Sequence, residues 1–310
     1  VETDVDARLQ VLDADGNQLT PEMLVDADDV LEEYTVEYTD TIDAHQTVTV
    51  RLVSDDGVVT AVDASSRPDL VKLRRGDVQL VEAVPDRGFH YPYLAYVPND
   101  TGSSAPVYVE PNNTGTSTDN FDEHLQAARS ILEAGDWRRE IPADLGLPFL
   151  VPVFPRPRNE PVDYYHYIHA LDDDTLEIED EPLDRVDLQL IEMVDHYRAS
   201  LDVSFGLDTP EEFHMNGFSA SGNFVNRFTA LHPDRVRAAT AGGVNGTLIL
   251  PRERANGWSL PYPIGVEDVR DLTGDAFTED EWTEVPQYIY LGAEDTNDTI
   301  PYDDAWGAHL

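Results

Sequence analysis

The residues best suited to chemistry lie in the run Met215-Asn216-Gly217-Phe218-Ser219-Ala220-Ser221-Gly222. Residues 213–217 read as a short apolar strand, and residues 220–231 as a helix with Phe224, Val225, Phe228 and Leu231 on its apolar face. A serine between such a strand and such a helix occupies a sharp, strained turn. Small residues two before and two after it keep side chains from striking the backbone, which is the logic of a Gly-x-Ser-x-Gly elbow. Gly217 fills the first of these positions, and Ser221, still small, stands at the second. An elbow of this kind presents the serine Oγ at the end of the strand. It also sets the Ala220 N–H and the helix N-terminus where a developing oxyanion is held. Ser219 is therefore the candidate nucleophile, with Ser221 its competitor.

The elements that must position this turn begin near residue 76. Residues 77–84 and 89–97 read as two strands of a hairpin around Pro85-Asp86-Arg87-Gly88. Residues 106–110 form a short apolar strand, 121–134 a helix, and 148–154 a continuous apolar run expected of a strand buried on both faces. Residues 182–201 carry apolar side chains at three- and four-residue spacing, with Asp180 as N-cap and Pro182 in the first turn. Strands at 236–241 and 287–291 follow. This alternation predicts an α/β fold, a mostly parallel sheet with helices on both faces and the hairpin at one edge. Residues 1–75 read instead as a β-rich module preceding the 76–310 domain, with a hairpin signal around Asp56-Gly57. Asp13, Asp15 and Asn17 have the look of a calcium loop, but Gly16 is misplaced for one, and a plain turn is expected.

Charge narrows the setting. Against 62 Asp+Glu stand 20 Lys+Arg, of which Lys72 alone is lysine, giving a formal net charge of −42. The acids are spread between periodic apolar segments, not gathered in a tail. Self-repulsion at this charge destabilises a compact fold at low salt. At multi-molar salt the Debye length falls below about 3 Å and the repulsion is screened. A halophilic protein is expected, in a salt-accumulating cytoplasm or secreted. The same charge disfavours nucleic acid as a ligand. There are no cysteines, which excludes disulfides, thiolate metal sites and a cysteine nucleophile. No apolar run approaches the ~18 residues of a membrane span, and no charged-then-apolar leader is visible.

The run from Met215 to Gly222, followed by Leu231-His232-Pro233-Asp234-Arg235-Val236, resembles the α/β-hydrolase superfamily, and within it the serine esterase and polyhydroxyalkanoate-depolymerase-like group. The resemblance covers roughly residues 76–310. It implies a serine hydrolase acting on a small-molecule ester or a polyester without a cofactor, and a catalytic order of serine, acid, histidine. The acid position matches Gly292-Ala293-Glu294-Asp295, with Asp295 the first choice and Asp298 the second. The second oxyanion N–H belongs to the loop after residues 106–110. There Glu110-Pro111-Asn112-Asn113 stands where many relatives have His-Gly, and Asn113 is the candidate donor. The histidine is expected on the order of 30 residues past the acid. His309 lies only 14 residues beyond Asp295, so the base, with a last strand and helix, is expected beyond residue 310. Tyr164, Tyr165, His166 and His169 form an aromatic run, read either as the rim of a substrate pocket or as plain packing. His166 and His169 have ligand spacing, but no third ligand follows, and no metal site is expected. Two other readings stay open: a non-catalytic binding protein on the same fold, and a prolyl-oligopeptidase-like peptidase whose first 75 residues are too short for a propeller.

Overall fold

The computed structural model describes residues 7–12, 23–25, 47–54, 57–65, 70–113, 115, 117–159, 168–179, 182–244 and 248–295, the first four segments and Ile168 by backbone alone. The chain divides into two compact units, Val1–Asp69 and Leu70–Leu310. In the first, β1 (Ala7–Leu12), β2 (Met23–Val25), β3 (Thr47–Ser54) and β4 (Gly57–Ser65) form an antiparallel sheet in the order β2-β1-β3-β4. The hairpin expected around Asp56-Gly57 is the β3–β4 pair, which closes at Ser54↔Gly57. The Asp13–Asn17 turn lies outside the described residues.

The second unit is built on β5 (Val78–Val81), β6 (Tyr93–Tyr96), β7 (Tyr108–Val109), β8 (Phe149–Pro152), β9 (Phe213–Phe218), β10 (Val236–Gly242) and, after a two-stranded ribbon of β11 (Arg254–Ala255) and β12 (Trp258–Ser259), β13 (Gln287–Tyr290). The seven-stranded sheet has the order β13-β10-β9-β7-β8-β6-β5. From β13 to β8 every pair is parallel, whereas β6 runs against β8 and β5 against β6. This is the mostly parallel sheet with an antiparallel hairpin at one edge that the alternation of strands and helices predicts.

Alternation along the strands sorts the core into two layers. Ala95, Val109, Leu150, Met215, Ala239 and Ala241 face one side. They pack there with α4 (Val186–Phe205) and α5 (Ala220–Leu231) through Leu190, Val194, Tyr197, Phe224 and Phe228. Leu94, Tyr96, Tyr108, Phe149 and Val151 face the other side, against Ala128, Ile131 and Leu132 at the C-terminal end of α1 (Phe121–Ile131). Every residue of β6 and of β8 is buried, as expected for strands covered on both faces.

Helix boundaries depart from expectation in three places, the first being α1, which ends at Ile131, three residues before the expected end. The long helix α4 begins at Val186, four residues later than its apolar pattern suggests, because Arg185 takes a left-handed conformation (φ 42°, ψ 60°) that interrupts helical propagation. It ends at Gly206, whose N–H donates to the Asp202 carbonyl at 2.7 Å. The segment Trp137–Asp144 forms α2, capped by Asp136, although it carries Pro142 and no apolar stripe. Among the described residues, the remaining α-helices are the short α3 (Asp173–Leu176), α6 (Val269–Thr273) and α7 (Glu279–Glu284).

Candidate active site

Because β7, β8, β9, β10 and β13 are parallel, their C-terminal ends share one edge of the sheet. Ser219 is the first residue past β9 and the N-cap of α5. Its backbone has φ 62° and ψ −124°, outside the regions an L residue occupies comfortably. Such strain persists only where the surroundings over-determine it, and here they do. Ser219 N–H donates to the Gly242 carbonyl of β10 at 2.8 Å, and its own carbonyl accepts from Asn223 N–H at 3.0 Å. A Cβ on Gly217 would stand 2.2 Å from the Ser221 carbonyl oxygen. The second close approach falls at Gly222, where a Cβ would stand 2.5 Å from the Gly242 oxygen, and not at Ser221, the position that the spacing suggests. Ser221 is 2% exposed, and its Oγ lies 3.0 Å from both the N and the O of Phe218, so it closes the turn from within. The side chain of Ser219 caps no helical N–H.

The loop after β7 meets this turn directly. Asn113 Nδ2 donates to the Phe218 carbonyl at 3.1 Å, one peptide before Ser219. Asn112, 1% exposed, fixes the loop from the other side. Its Nδ2 donates to the Phe154 carbonyl at 2.8 Å, and its Oδ1 accepts from Phe154 N–H at 3.1 Å, so the amide imitates a strand partner beyond the end of β8. His169 faces the interior and not a pocket rim. It is 1% exposed, Nε2 donates to the Phe154 carbonyl at 2.8 Å, and burial pushes the imidazole down to about 3, keeping it neutral. Tyr164, Tyr165 and His166 lie outside the described residues, as do Asp298 and His309.

Aromatic surface beside Ser219 comes from residues that the sequence pattern does not single out. Phe218 is 48% exposed, and its ring centroid lies 6.3 Å from that of Tyr290 at the end of β13. Tyr290 leans across β10 through the space left by Gly242, where a Cβ would stand 2.1 Å from Cζ. Beneath them, Asn216 Nδ2 donates to Glu110 Oε2 at 2.5 Å, and Glu110 is 2% exposed. Alternation in Val107-Tyr108-Val109-Glu110 places a carboxyl on the buried face that carries Tyr108, a signal for the burial of Glu110 but not for its partner.

Asp295 follows β13 at the same sheet edge. It is exposed, and its N–H donates to the Gly292 carbonyl at 3.0 Å in a tight turn. Several histidines are engaged elsewhere. His124 Nε2 lies 3.0 Å from the Thr118 carbonyl, and His196 Nδ1 lies 2.8 Å from Tyr93 Oη. His232 Nε2 lies 2.7 Å from Asp187 Oδ2, at the far end of α5. That helix has 12 residues, about 18 Å at 1.5 Å per residue, so this His–Asp pair stands well away from Ser219.

A strained serine at a strand-to-helix turn, on the C-terminal edge of a mostly parallel sheet with helices on both faces, is the setting of a nucleophile elbow. The fold is that of an α/β hydrolase. No family model and no curated protein matches the chain. Among solved structures, the chain is similar to poly(aspartic acid) hydrolase-1 from Sphingomonas sp. KT-1, at 18% identity over 73% of this chain and 74% of that one, with a TM-score of 0.47. It is similar to LpqC, a poly(3-hydroxybutyrate) depolymerase from Bordetella parapertussis, at 18% identity over 74% and 70%, with a TM-score of 0.45. A thermostable esterase is similar at 13% identity over 95% and 86%, with a TM-score of 0.35.

Proposed function

We propose that this chain is a serine hydrolase that cleaves a carboxylic ester, with Ser219 as nucleophile. The observation that carries the reading is the Ser219 backbone at φ 62°, held by the Gly242 carbonyl and by glycines that tolerate no side chain. Strain of this kind is retained where exposing one side chain serves a purpose.

In the proposed reaction Ser219 Oγ attacks the ester carbonyl as a histidine takes the hydroxyl proton. The oxyanion is held by the Ala220 N–H, which has no acceptor within the helix, and by an N–H of the Asn113 loop. A well-placed donor of this type contributes about 3–4 kcal/mol to the barrier. The alkoxide leaves with the proton from the histidine, and water then hydrolyses the acyl-serine by the same route. Asp295, with Asp298 as alternate, orients the histidine, which is supplied by chain following Asp295. Phe218 and Tyr290 offer an apolar wall for an acyl or aryl group. A net charge of −42 repels polyanions, which favours a neutral ester.

The test is turnover of short-chain aryl esters by the full chain in about 3 M KCl, where charge repulsion is screened. Ser219→Ala is expected to lower kcat by about 10⁴-fold or more, with the fold intact by circular dichroism. A Ser219→Ala variant that retained wild-type turnover would refute the assignment.

A further inference from the structure

The backbone ladder between β7 and β9 consists of two register pairs, Tyr108↔His214 and Val109↔Met215. Beyond it, the strand end that carries Asn113 and the strand end that carries Ser219 are tied by side chains. Asn113 bonds the Phe218 carbonyl above, and Glu110 bonds Asn216 below. Glu110 keeps its place in the sheet through its N–H, which donates to the Leu150 carbonyl of β8 at 3.2 Å. Its carboxyl thus reaches from one strand end to the other, three residues before Asn113 and against a residue three before Ser219.

We propose that Glu110 is a positioning residue for the reaction at Ser219: its carboxyl, bonded to Asn216, sets the spacing between the Asn113 loop and the elbow. This inference rests on the serine-hydrolase reading. The groups that face the carboxyl are Tyr108 on its own strand, Asn216 on β9, Tyr290 on β13, and Arg138 and Asp136 at the start of α2. Burial pushes the Glu110 carboxyl up to about 8, against the Asn216 hydrogen bond and Arg138, which favour the charged form, and with Asp136, which opposes it. At neutral pH the group is a neutral acid, able to donate one hydrogen bond while it accepts another. The folded chain holds this proton more tightly than the unfolded one. The stability it contributes is therefore complete below the ordinary carboxyl range and is lost as pH rises to about 8. Above that pH a buried anion stands between the two strand ends; Asn216 still donates to it, but its desolvation cost favours opening of the strand ends to water.

The experiment measures the rate at which a fluorophosphonate labels Ser219 in the full chain, from about pH 6 to about pH 10. Wild type is compared with Glu110→Gln, which keeps an acceptor for Asn216 and cannot ionise. The wild-type rate is expected to fall about tenfold per pH unit above about 8, and Glu110→Gln to label within about threefold of wild type at pH 7 without that fall. The same alkaline fall in both proteins, or none in wild type, overturns the proposal. Hydrogen exchange of wild type alone covers the case in which the variant does not fold. Protection of residues 109–113 and 216–219, corrected for intrinsic base catalysis, is expected to drop with a midpoint near 8. Protection unchanged through that range overturns the coupling. Folded wild type that labels at no pH refutes the serine-hydrolase reading instead, and the exchange measurement then decides whether Glu110 couples the two strand ends.

Discussion

Ser219 holds a backbone conformation that costs of order 1–3 kcal/mol, and the residues around it show what sustains that cost. Gly217 and Gly222 lie against carbonyl oxygens, which cannot swing aside as a flexible side chain does. Gly217→Ala would drive a Cβ to 2.2 Å from the Ser221 oxygen. It is expected to destabilise the domain by about 3 kcal/mol or more in denaturant unfolding at high salt. A loss within about 0.5 kcal/mol, the range of an ordinary surface substitution, would mean that the turn is not held as described. Ser221 has a different task from the one its spacing implies: it closes the turn on Phe218, while Gly222 provides the close approach to β10.

At the scale of elements, the end of α5 farthest from Ser219 is anchored by charge. Asp187, at the start of α4 and 0% exposed, accepts from Arg185 Nε at 2.9 Å and Nη2 at 2.7 Å, and meets His232 Nε2 at 2.7 Å. Burial alone would raise the Asp187 carboxyl. The His232 and Arg185 hydrogen bonds outweigh burial and hold it well below the usual carboxylate range. The stability this gives is present above the unfolded value of about 3.9 and is lost as pH falls through the depressed folded value. Asp187→Asn is expected to cost about 3 kcal/mol at pH 7, the lower end for removing one partner of a buried pair. The gap to wild type should narrow as pH drops below about 4, and a gap constant from neutral to acid pH would rule out the ion pair as its source. The elements themselves were largely legible in the sequence. Strands β9 and β10 and helix α5 stand out because apolar runs there are punctuated by Gly217, Pro233 and Gly242. The start of α4 was not legible, because it is set by the left-handed Arg185, whose guanidinium is held by the buried Asp187 and by the Thr273 carbonyl 88 residues away. Helix α2 was hidden by Pro142 and by the lack of an apolar stripe. The elbow could be read because it is a local motif. The Asn112–Phe154 and Glu110–Asn216 links could not, since they join residues 42 and 106 positions apart.

For the whole molecule, 62 acidic residues against 20 basic ones make salt part of the folding equilibrium. The melting temperature of the full chain is expected to rise continuously from about 0.1 M to about 3 M KCl as the Debye length shrinks from about 10 Å to below 3 Å. Asp187→Asn should show the same dependence, because a buried pair is little screened. A melting temperature independent of salt would contradict adaptation to multi-molar salt. The central claim, that this fold presents Ser219 as an activated nucleophile, is tested most directly by covalent labelling. The full chain in about 3 M KCl is treated with a fluorophosphonate, and the modified peptide is sequenced by mass spectrometry beside the Ser219→Ala variant. Modification at Ser219 that vanishes in the variant is the expected result. A folded protein that stays unmodified, or that is modified at Ser221 in both chains, would contradict it.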